Sequence, residues 1–548
     1  MTPSRVPTAR RRRSVYIALI AIALISFPPI VAAAGASSGT TPLGAVGDAL
    51  RTWIEKHASA GVELEQVYFG EHDIGVAAQR AGGLMTRRDF GVFAAAGGLD
   101  KGEAYVSIPW TLVLSAEGVS SIRPELNTLL TSLKSEFGQD DKSALLLALI
   151  YERFVSVDDS PWADYFQSLA DPNDNDSYFD TPLYWSPNLL KELQGSEVFD
   201  DAITDQAKVR AVHNGFSRRA FTQKPFADAF NGLDKNTTLK YTQWAWSITH
   251  SRASNVPTKG LALIPLADMI NDRREGHLRS DGYDGGSNNS GNSNSNRNSD
   301  FAVYDPQYDR AVVFAKREYA AGEEVFESYG GWSDADTLLS AGYVLGEGSE
   351  SSHDSSSCAV MRLSPHPFSN EVELTNVESA LRDHGFEVPW RVCLAASSRV
   401  THNAKRIAKW VSIVAENTGE SDADGDVEGG VRGGKILAQI LTQRLENYPT
   451  TVDEDADALH MYREELEQIV GSLGEVDGVE DGSAEDDEKI VSLESRARTV
   501  RRASLATTLR SREKKTFMTI LKSLSEEAGG DAFVWADSVK ASEEKDEL

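Results

Sequence analysis

Cysteine is nearly absent from this chain of 548 residues, which contains only Cys358 and Cys393. Two cysteines exclude a cysteine-rich zinc cluster and a scaffold held by several disulfides, but they leave room for one disulfide in an oxidising compartment. No other grouping of histidines and carboxylates has a spacing typical of metal ligands, so no metal is expected.

Positive charge is also scarce, with 55 lysines and arginines against 83 aspartates and glutamates and a formal net charge of -28. Such an acidic chain repels a phosphate backbone, so nucleic acid is not an expected partner. A basic or neutral protein substrate is compatible with this charge. The length and the 41% hydrophobic content allow a large core divided between two or more domains.

The first 34 residues have the layout of a secretory leader. Arg5 and the arginines at 10 to 13 precede an apolar run that starts at Val15, and small residues follow as far as Ala34. This layout predicts a signal peptide cleaved near Ala34. Because residues 15 to 34 are long enough to cross a bilayer, an uncleaved signal anchor is the alternative, and only that form would contact a membrane.

The last four residues, 545 to 548, are Lys-Asp-Glu-Leu, the retrieval signal that the KDEL receptor binds. Together with the leader, this signal predicts a resident of the endoplasmic reticulum lumen. Sequons at Asn175, Asn236 and Asn288 are open to N-glycosylation in that compartment. The expected protein is therefore a lumenal glycoprotein.

Residues 237 to 253 have the spacing of a helix whose buried face ends in a charge. Trp244, Ile248 and Arg252 lie on one face, because positions three and four apart stack. A guanidinium on the buried face of a helix needs a carboxylate partner, since an unpaired charge in the interior destabilises the folded state. Asp268, in the apolar segment that follows, is the predicted partner, and a purely structural ion pair is the alternative role.

Apolar periodicity and turn residues predict further elements along the chain. We expect a helix over 141 to 156, a hairpin and a third strand within 300 to 331, and a helix that starts with a capping box at Ser333 and Asp336. Residues 276 to 300 are of low complexity and are expected to form a disordered loop. From about 346 the chain changes to helical segments separated by acidic loops.

Several dispersed motifs occur in an order similar to that of one enzyme family. They are "TWIEKH", "RRDFGVFAAAGGLDKGE", "HSRAS", "PLADMIND" and "GEEVFESYGG". This order resembles that of SET-domain methyltransferases of the Rubisco large-subunit lysine methyltransferase subgroup, over about residues 48 to 525. That subgroup lacks the cysteine-rich zinc flank of other SET proteins, in agreement with the two cysteines here.

The resemblance implies an α+β fold in two domains. A β-rich SET domain of short strands, with knot-like threading, would span residues 48 to 345 and carry a helical insert at about 120 to 235. An all-α substrate-binding domain would follow at 346 to 535. The implied activity is protein-lysine N-methylation with S-adenosyl-L-methionine as the methyl donor.

The resemblance also implies the site residues. Tyr329 would be the catalytic tyrosine, with an ordinary tyrosine at a strand end as the alternative. Arg252, oriented by Asp268, would bind the cofactor carboxylate, because a guanidinium pairs with a carboxylate through two parallel hydrogen bonds. The residues implied to line the cofactor are Arg88, Asp89, Phe90, Arg252, Asp268, Met269, Ile270, Asn271, Asp272, Ala341, Gly342 and Tyr343.

Three positions depart from the family pattern. Asp272 replaces a histidine, Asp89 stands where a glycine is usual, and Asp334 replaces an asparagine. These departures motivate a second hypothesis from another class, a catalytically inactive SET scaffold that binds client peptides. The sequence also leaves open whether lysine or histidine accepts the methyl group.

Overall fold

The computed structural model describes residues 45–64, 66–72, 89–136, 141–169, 171–172, 179–272, 301–327, 332–344, 358–364, 371–386, 388–395, 406–407, 409–410, 413–414, 429–477 and 484–527. The predicted leader, the loop at 276 to 300, the sequons at Asn175 and Asn288, and the retrieval signal lie outside these residues. No helix within the described ranges is both long and apolar enough to cross a membrane.

Three small sheets form the amino-terminal part of the chain. The first is antiparallel, in the order β1 (Glu63–Leu64), β4 (Ala104–Pro109), β10 (Arg310–Phe314) and β9 (Val303–Asp305). The second has the order β2 (Val67–His72), β3 (Asp89–Ala94), β11 (Glu324–Glu327) and β8 (Asn271–Asp272). The third has the order β5 (Leu114–Ser115), β7 (Gly260–Leu263) and β6 (Ser254–Val256).

The β8–β11 pair is parallel, whereas the other strand pairs in the described part of these sheets are antiparallel. Strand β8 can therefore reach its position only by a crossover from a distant part of the chain. The predicted hairpin is confirmed as β9 and β10, and the predicted third strand as β11. The knot-like threading stays a prediction.

Helices surround the sheets and fill the predicted insert. They are α1 (Ala45–His57), α2 (Ala116–Ile122), α3 (Pro124–Glu136), α4 (Asp141–Phe154), α5 (Ala163–Gln167), α6 (Pro187–Leu190), α7 (Glu197–Arg219), α8 (Phe226–Ala229), α9 (Lys235–Arg252) and α10 (Asp334–Ala341). The predicted apolar helix is confirmed as α4. Its residues from Ala144 to Ile150 are all buried, because α3, α9 and β7 cover it on several sides.

The carboxy-terminal part is mainly helical, as expected. Its helices are α11 (Glu371–Asp383), α12 (Gly429–Glu446), α13 (Val452–Asp477) and the long α14 (Ala484–Glu527). The all-α expectation missed an antiparallel pair of strands, β12 (Cys358–Leu363) and β13 (Trp390–Ala395). A disulfide joins Cys358 to Cys393 within this pair, with the two Cα atoms 5.4 Å apart.

One apolar cluster joins the two parts of the molecule. Leu193, Val198 and Leu338 come from the amino-terminal part, and Val360 and Leu509 come from β12 and α14. Burial of such side chains is the main favourable contribution to packing. The carboxy-terminal helices are therefore packed directly on the amino-terminal part of the chain, residues 45 to 344, which is the SET-like part. The predicted boundary near 345 falls in residues 345 to 357, outside the described ranges.

Candidate functional site

Helix α9 places Arg252 at the site. The Asp234 side chain accepts hydrogen bonds from the backbone N–H groups of Asn236 and Thr237 and so caps the start of the helix. Trp244 and Ile248 are fully buried on its inner face, as predicted. Arg252 is the last residue of the helix, and its side chain is 18% exposed, so the guanidinium sits at the edge of the core.

Arg252 contacts the turn that precedes β8, a 3-10 helix over Ala267–Met269. Its Nη1 donates a hydrogen bond of 2.9 Å to the backbone carbonyl of Asp268 and contacts the sulfur of Met269 at 3.3 Å. The Asp268 carboxylate is farther away, with Oδ2 4.0 Å from Nη1. The structure thus brings together the predicted pair, but the backbone carbonyl makes the shorter contact.

The phenol of Tyr165, on α5, donates a hydrogen bond to Oδ2 of Asp268. Both side chains are buried. A hydrogen bond to a carboxylate that is shielded from water is stronger than one at the surface. Tyr165 and Arg252 therefore both contact Asp268, and together they hold the turn.

The turn also stores backbone strain. Leu266, which immediately precedes it, has φ 73° and ψ -45°, in a region that residues other than glycine seldom adopt. Strain of this kind persists only where the surrounding structure enforces it, and it concentrates at functional sites. Here the buried side chains of Leu266, Met269 and Ile270 hold the turn in place.

Asn271 begins β8 and pairs with Phe326 of β11 in parallel register. Its Nδ2 donates a hydrogen bond of 2.8 Å to Oε1 of the buried Glu324. The same carboxylate oxygen lies against Gly91 of β3, where an added Cβ would be only 2.6 Å from it. Gly91 therefore leaves the space in which Glu324 reaches and orients the Asn271 amide.

A second buried carboxylate follows on β11. The Tyr105 phenol donates a hydrogen bond of 3.1 Å to Oε1 of Glu327. Burial, together with the negative charge of Glu327, raises the pKa of Tyr105 well above its usual value. Tyr105 therefore stays protonated and is a hydrogen-bond donor at neutral pH. Glu327 lies two positions before Tyr329 in the chain.

Helix α10 borders the site on another side and packs against α9. The predicted capping box at its start is confirmed, with Ser333 and Asp336 exchanging hydrogen bonds. At its end, Gly342 adopts φ 77°, and an added Cβ would lie 2.9 Å from backbone atoms of Asp180 and Thr181. Glycine is therefore required at 342 both by conformation and by close packing.

The predicted site residues divide into two groups. The described ones lie on three neighbouring segments: the end of α9, the turn with β8, and the end of α10. In that order they are Arg252, then Asp268, Met269, Ile270 and Asn271, and then Ala341, Gly342 and Tyr343. Asp89 and Phe90 start β3, which contacts the turn, and Asp272 ends β8. Arg88, Tyr329 and the side chains of Asp89, Phe90 and Asp272 lie outside the described residues, so their roles stay predictions.

Three residues that the sequence did not single out support the site. Tyr165 holds Asp268, Glu324 holds Asn271, and Glu327 pairs with Tyr105. Tyr165 lies in α5, and Glu324 and Glu327 lie within the motif "GEEVFESYGG", but no local pattern reveals their partners. Beside the Asp268 carboxylate the guanidinium of Arg252 supplies positive charge, so the site suits a ligand with both a carboxylate and a cationic group. Among the described residues no cluster of histidines, cysteines and carboxylates could hold a metal ion.

Comparison with solved structures shows the fold. The SET domain of LSMT bound to lysine and AdoHcy matches with a TM-score of 0.55 and 17% sequence identity, covering 88% of this chain and 92% of that chain. Rubisco LSMT bound to AdoMet matches with a TM-score of 0.53 and 17% identity, covering 87% and 92%. The chain has the fold of these proteins, and the resemblance to SET-domain methyltransferases is confirmed.

Sequence comparison finds relatives that match part of the chain. The actin-histidine N-methyltransferases of Homo sapiens and Canis lupus familiaris are each 25% identical to this chain over 313 residues, which cover 56% of this chain and 43% of the relative. The match thus spans less than half the length of these relatives. No family model matches the chain.

Proposed function

We propose, from the fold shared with LSMT, that this chain is an S-adenosyl-L-methionine-dependent protein N-methyltransferase of the endoplasmic reticulum lumen that methylates lysine side chains. The observation that carries the proposal is the position of Arg252. Arg252 is held against Asp268 and Met269, which lie three and two residues before Asn271, in the fold of a known methyltransferase.

The residues present fit this cofactor. When bound, S-adenosylmethionine supplies a methyl group carried on a positively charged sulfur. The guanidinium of Arg252 would bind its carboxylate through paired N–H donors. The amide of Asn271 and the carboxylates of Asp268 and Glu324 favour its ammonium and sulfonium charges, because they lie within one short segment and its partner strand. Structures of LSMT bound to AdoMet and AdoHcy support this assignment.

The chain must also present a neutral nitrogen to the methyl group. Methyl transfer is an in-line displacement, so holding the reacting atoms about 3 to 3.5 Å apart is the main contribution that a protein can make. Tyr329 is proposed to hold the acceptor nitrogen. Enclosure away from water lowers the pKa of a lysine ammonium and so favours its nucleophilic form.

Lysine is proposed as the acceptor because LSMT has been solved with lysine and with monomethyllysine, in a fold that covers most of this chain. The names of the sequence relatives support histidine instead, over a shorter match. Mass spectrometry of a methylated substrate decides between them, since the modified residue is read directly from fragment ions. A methylated histidine would overturn the lysine assignment and leave the cofactor assignment standing.

The inactive-scaffold hypothesis loses one of its three supports. Asp334, which replaces the asparagine of the family pattern, is buried and forms an ion pair with Arg512 at 3.1 Å. The substitution therefore has a structural partner and need not reflect loss of the cofactor site. Asp89 and Asp272 remain as the positions that motivate the alternative.

The lumenal location is proposed from the leader and the Lys-Asp-Glu-Leu terminus. The disulfide between Cys358 and Cys393 supports it, because such bonds persist in oxidising compartments. A protein substrate and the KDEL receptor are the partners that follow from this proposal.

The test is methyl transfer from radiolabelled S-adenosylmethionine to lumenal proteins taken from cells that lack this chain. The mature chain should label a lysine-containing protein, and Tyr329→Phe should reduce the rate by at least tenfold, as loss of a positioning group does. Equal labelling by the variant would remove Tyr329 from the mechanism. Client capture that is unaffected by both the cofactor and this substitution would favour the scaffold.

A further inference from the structure

The long helix α14 presents a series of arginines to acidic residues of the SET-like part. Arg510 pairs with Glu192 at 3.2 Å, and Arg512 pairs with Asp334 at 3.1 Å. Arg501 and Arg502 both pair with Asp180, the second at 3.4 Å from Nε to Oδ1. All four contacts cross from the carboxy-terminal helices to the part of the molecule that carries the site.

Three of these contacts act on α10, one directly through Asp334 and two through Asp180. At its first residue, Asp334 is 3% exposed and pairs with Arg512, whose side chain is 12% exposed. In the same turn, Oδ1 of Asp336 accepts from Nη2 of Arg391 on β13 at 2.6 Å. The amino-terminal end of α10 is therefore held by two arginines of the carboxy-terminal part, where the helix dipole also favours the two carboxylates.

The other end of α10 is held through Asp180. Gly342 packs so tightly on the backbone of Asp180 and Thr181 that no side chain fits there. Asp180 is in turn fixed by Arg501 and Arg502, and Arg502 also donates to the carbonyl of Phe179 at 3.0 Å. One helix, α14, thus fixes both ends of α10.

Helix α10 carries residues of the proposed cofactor site. Ala341, Gly342 and Tyr343, implied to border the adenine, form its last residue and the two that follow. The helix begins five positions after Tyr329 and packs against α9, which ends in Arg252. A shift of α10 would therefore displace the segments that hold the methyl donor and the acceptor.

We propose that Arg512, through Asp334, is a positioning residue for the methyl-donor site, and that α14 acts as a brace that sets the position of α10. This rests on the proposed function, and it gives the carboxy-terminal helices a role beyond binding substrate. The aspartate at 334, where the family pattern has asparagine, makes the contact an ion pair. Removing one charge of a buried pair takes a favourable interaction from the other, so single substitutions should perturb α10 strongly.

The experiment compares four variants of the full chain with the wild type. Asp334→Asn and Arg512→Gln each break the pair, and the double variant removes both charges. Arg496→Gln is the control for removing an arginine from the same helix, because Arg496 is 61% exposed and pairs at 2.7 Å with Glu465 of α13. Three quantities are measured: hydrogen exchange of residues 332 to 344 in the free protein, calorimetric affinity for S-adenosylmethionine, and melting temperature.

Both single variants should raise exchange across 332 to 344 and weaken cofactor affinity roughly tenfold, a typical size for coupling between sites. The double variant should recover part of the lost melting temperature, since both charges of the pair are removed together, while its affinity stays weak. A purely structural pair would instead lower the melting temperature and leave exchange at 332 to 344 and affinity within twofold of the wild type. That result overturns the brace.

Failure of the proposed function is a separate outcome. A wild-type chain that does not bind S-adenosylmethionine contradicts the enzyme assignment. Hydrogen exchange in the free protein still tests whether Arg512 holds α10. Unchanged exchange in both single variants overturns the brace even then.

Discussion

The Tyr165 phenol donates a hydrogen bond to the Asp268 carboxylate across 103 residues of the chain. This contact joins α5, in the helical insert, to the strained turn that positions Arg252 and Asn271. The helical insert therefore contacts the turn directly and helps to hold it in place. Its contribution can be measured by removing one hydroxyl group.

Tyr165→Phe should destabilise the protein by about 1 to 3 kcal/mol, because a buried carboxylate loses a donor that water cannot replace. Urea denaturation measures this change. Tyr308→Phe is the control, since Tyr308 is 63% exposed and should change stability by less than about 0.5 kcal/mol. Equal effects of the two substitutions would show that the Tyr165 bond does not hold the turn.

Glu324→Gln tests the orientation of Asn271. A carboxylate only accepts hydrogen bonds, so Glu324 forces the amide to present Nδ2 toward it, whereas a glutamine accepts either orientation. We expect affinity for S-adenosylmethionine to fall about tenfold, the value of one charge-assisted hydrogen bond. Glu318→Gln, at an exposed position between β10 and β11, should leave the affinity unchanged. Unaltered binding by Glu324→Gln would contradict the orienting role.

Glu513 gives stability a predictable dependence on pH. Burial raises its pKa from 4.5 to about 7, and nearby Asp334 adds to the shift; hydrogen bonds from Tyr448 and Ser196 and the charge of Arg444 oppose it. The folded state therefore keeps a proton that the unfolded chain releases. This contribution is fully present below about pH 4.5 and is lost as pH rises through about 7.

Glu513→Gln should remove that dependence. The wild type should lose a few kcal/mol from this group between pH 4.5 and 7, at about 1.4 kcal/mol for each pKa unit, and the variant should not. Denaturation at several pH values measures the difference in slope. Parallel pH profiles for the two proteins would show that Glu513 does not titrate in this range.

Asn236 tests the lumenal location. It is exposed at the start of α9, and its sequon is the one that falls within the described residues. Expression in the presence of microsomal membranes should yield a form whose apparent mass falls on glycosidase treatment. Asn236→Gln should reduce that shift in apparent mass. Thr238→Ala is a poorer test, because the Thr238 hydroxyl also contacts the buried His213 at 3.0 Å. Absence of any shift in the wild type would contradict entry into the lumen.

Much of the local structure follows from the sequence. The stripe of α9, the apolar α4 and the capping box of α10 are short-range patterns, and all three are confirmed. The proximity of Arg252 to Asp268 also followed, because a buried charge on a helix end needs a nearby polar partner. The motif order predicted the fold because it records which segments meet in related proteins.

The supporting contacts did not follow from the sequence. Tyr165 with Asp268 and Glu324 with Asn271 are separated by 103 and 53 residues, so no periodicity connects them. The β12–β13 pair was missed because its two short apolar runs are separated by α11 and lie in acidic, serine-rich surroundings. Arg252 bonds to the backbone carbonyl of Asp268 and lies farther from its carboxylate. This arrangement depends on the positive φ of Leu266, which a leucine in the sequence does not indicate.

The most direct test of the account is calorimetric titration of the full chain with S-adenosylmethionine, compared with Arg252→Lys. Lysine keeps the charge but cannot form the paired hydrogen bonds of a guanidinium with a carboxylate. The account predicts that the wild type binds and that the variant binds at least tenfold more weakly, a loss of about 1.4 kcal/mol or more. A wild type that does not bind, or a variant that binds equally well, would contradict it.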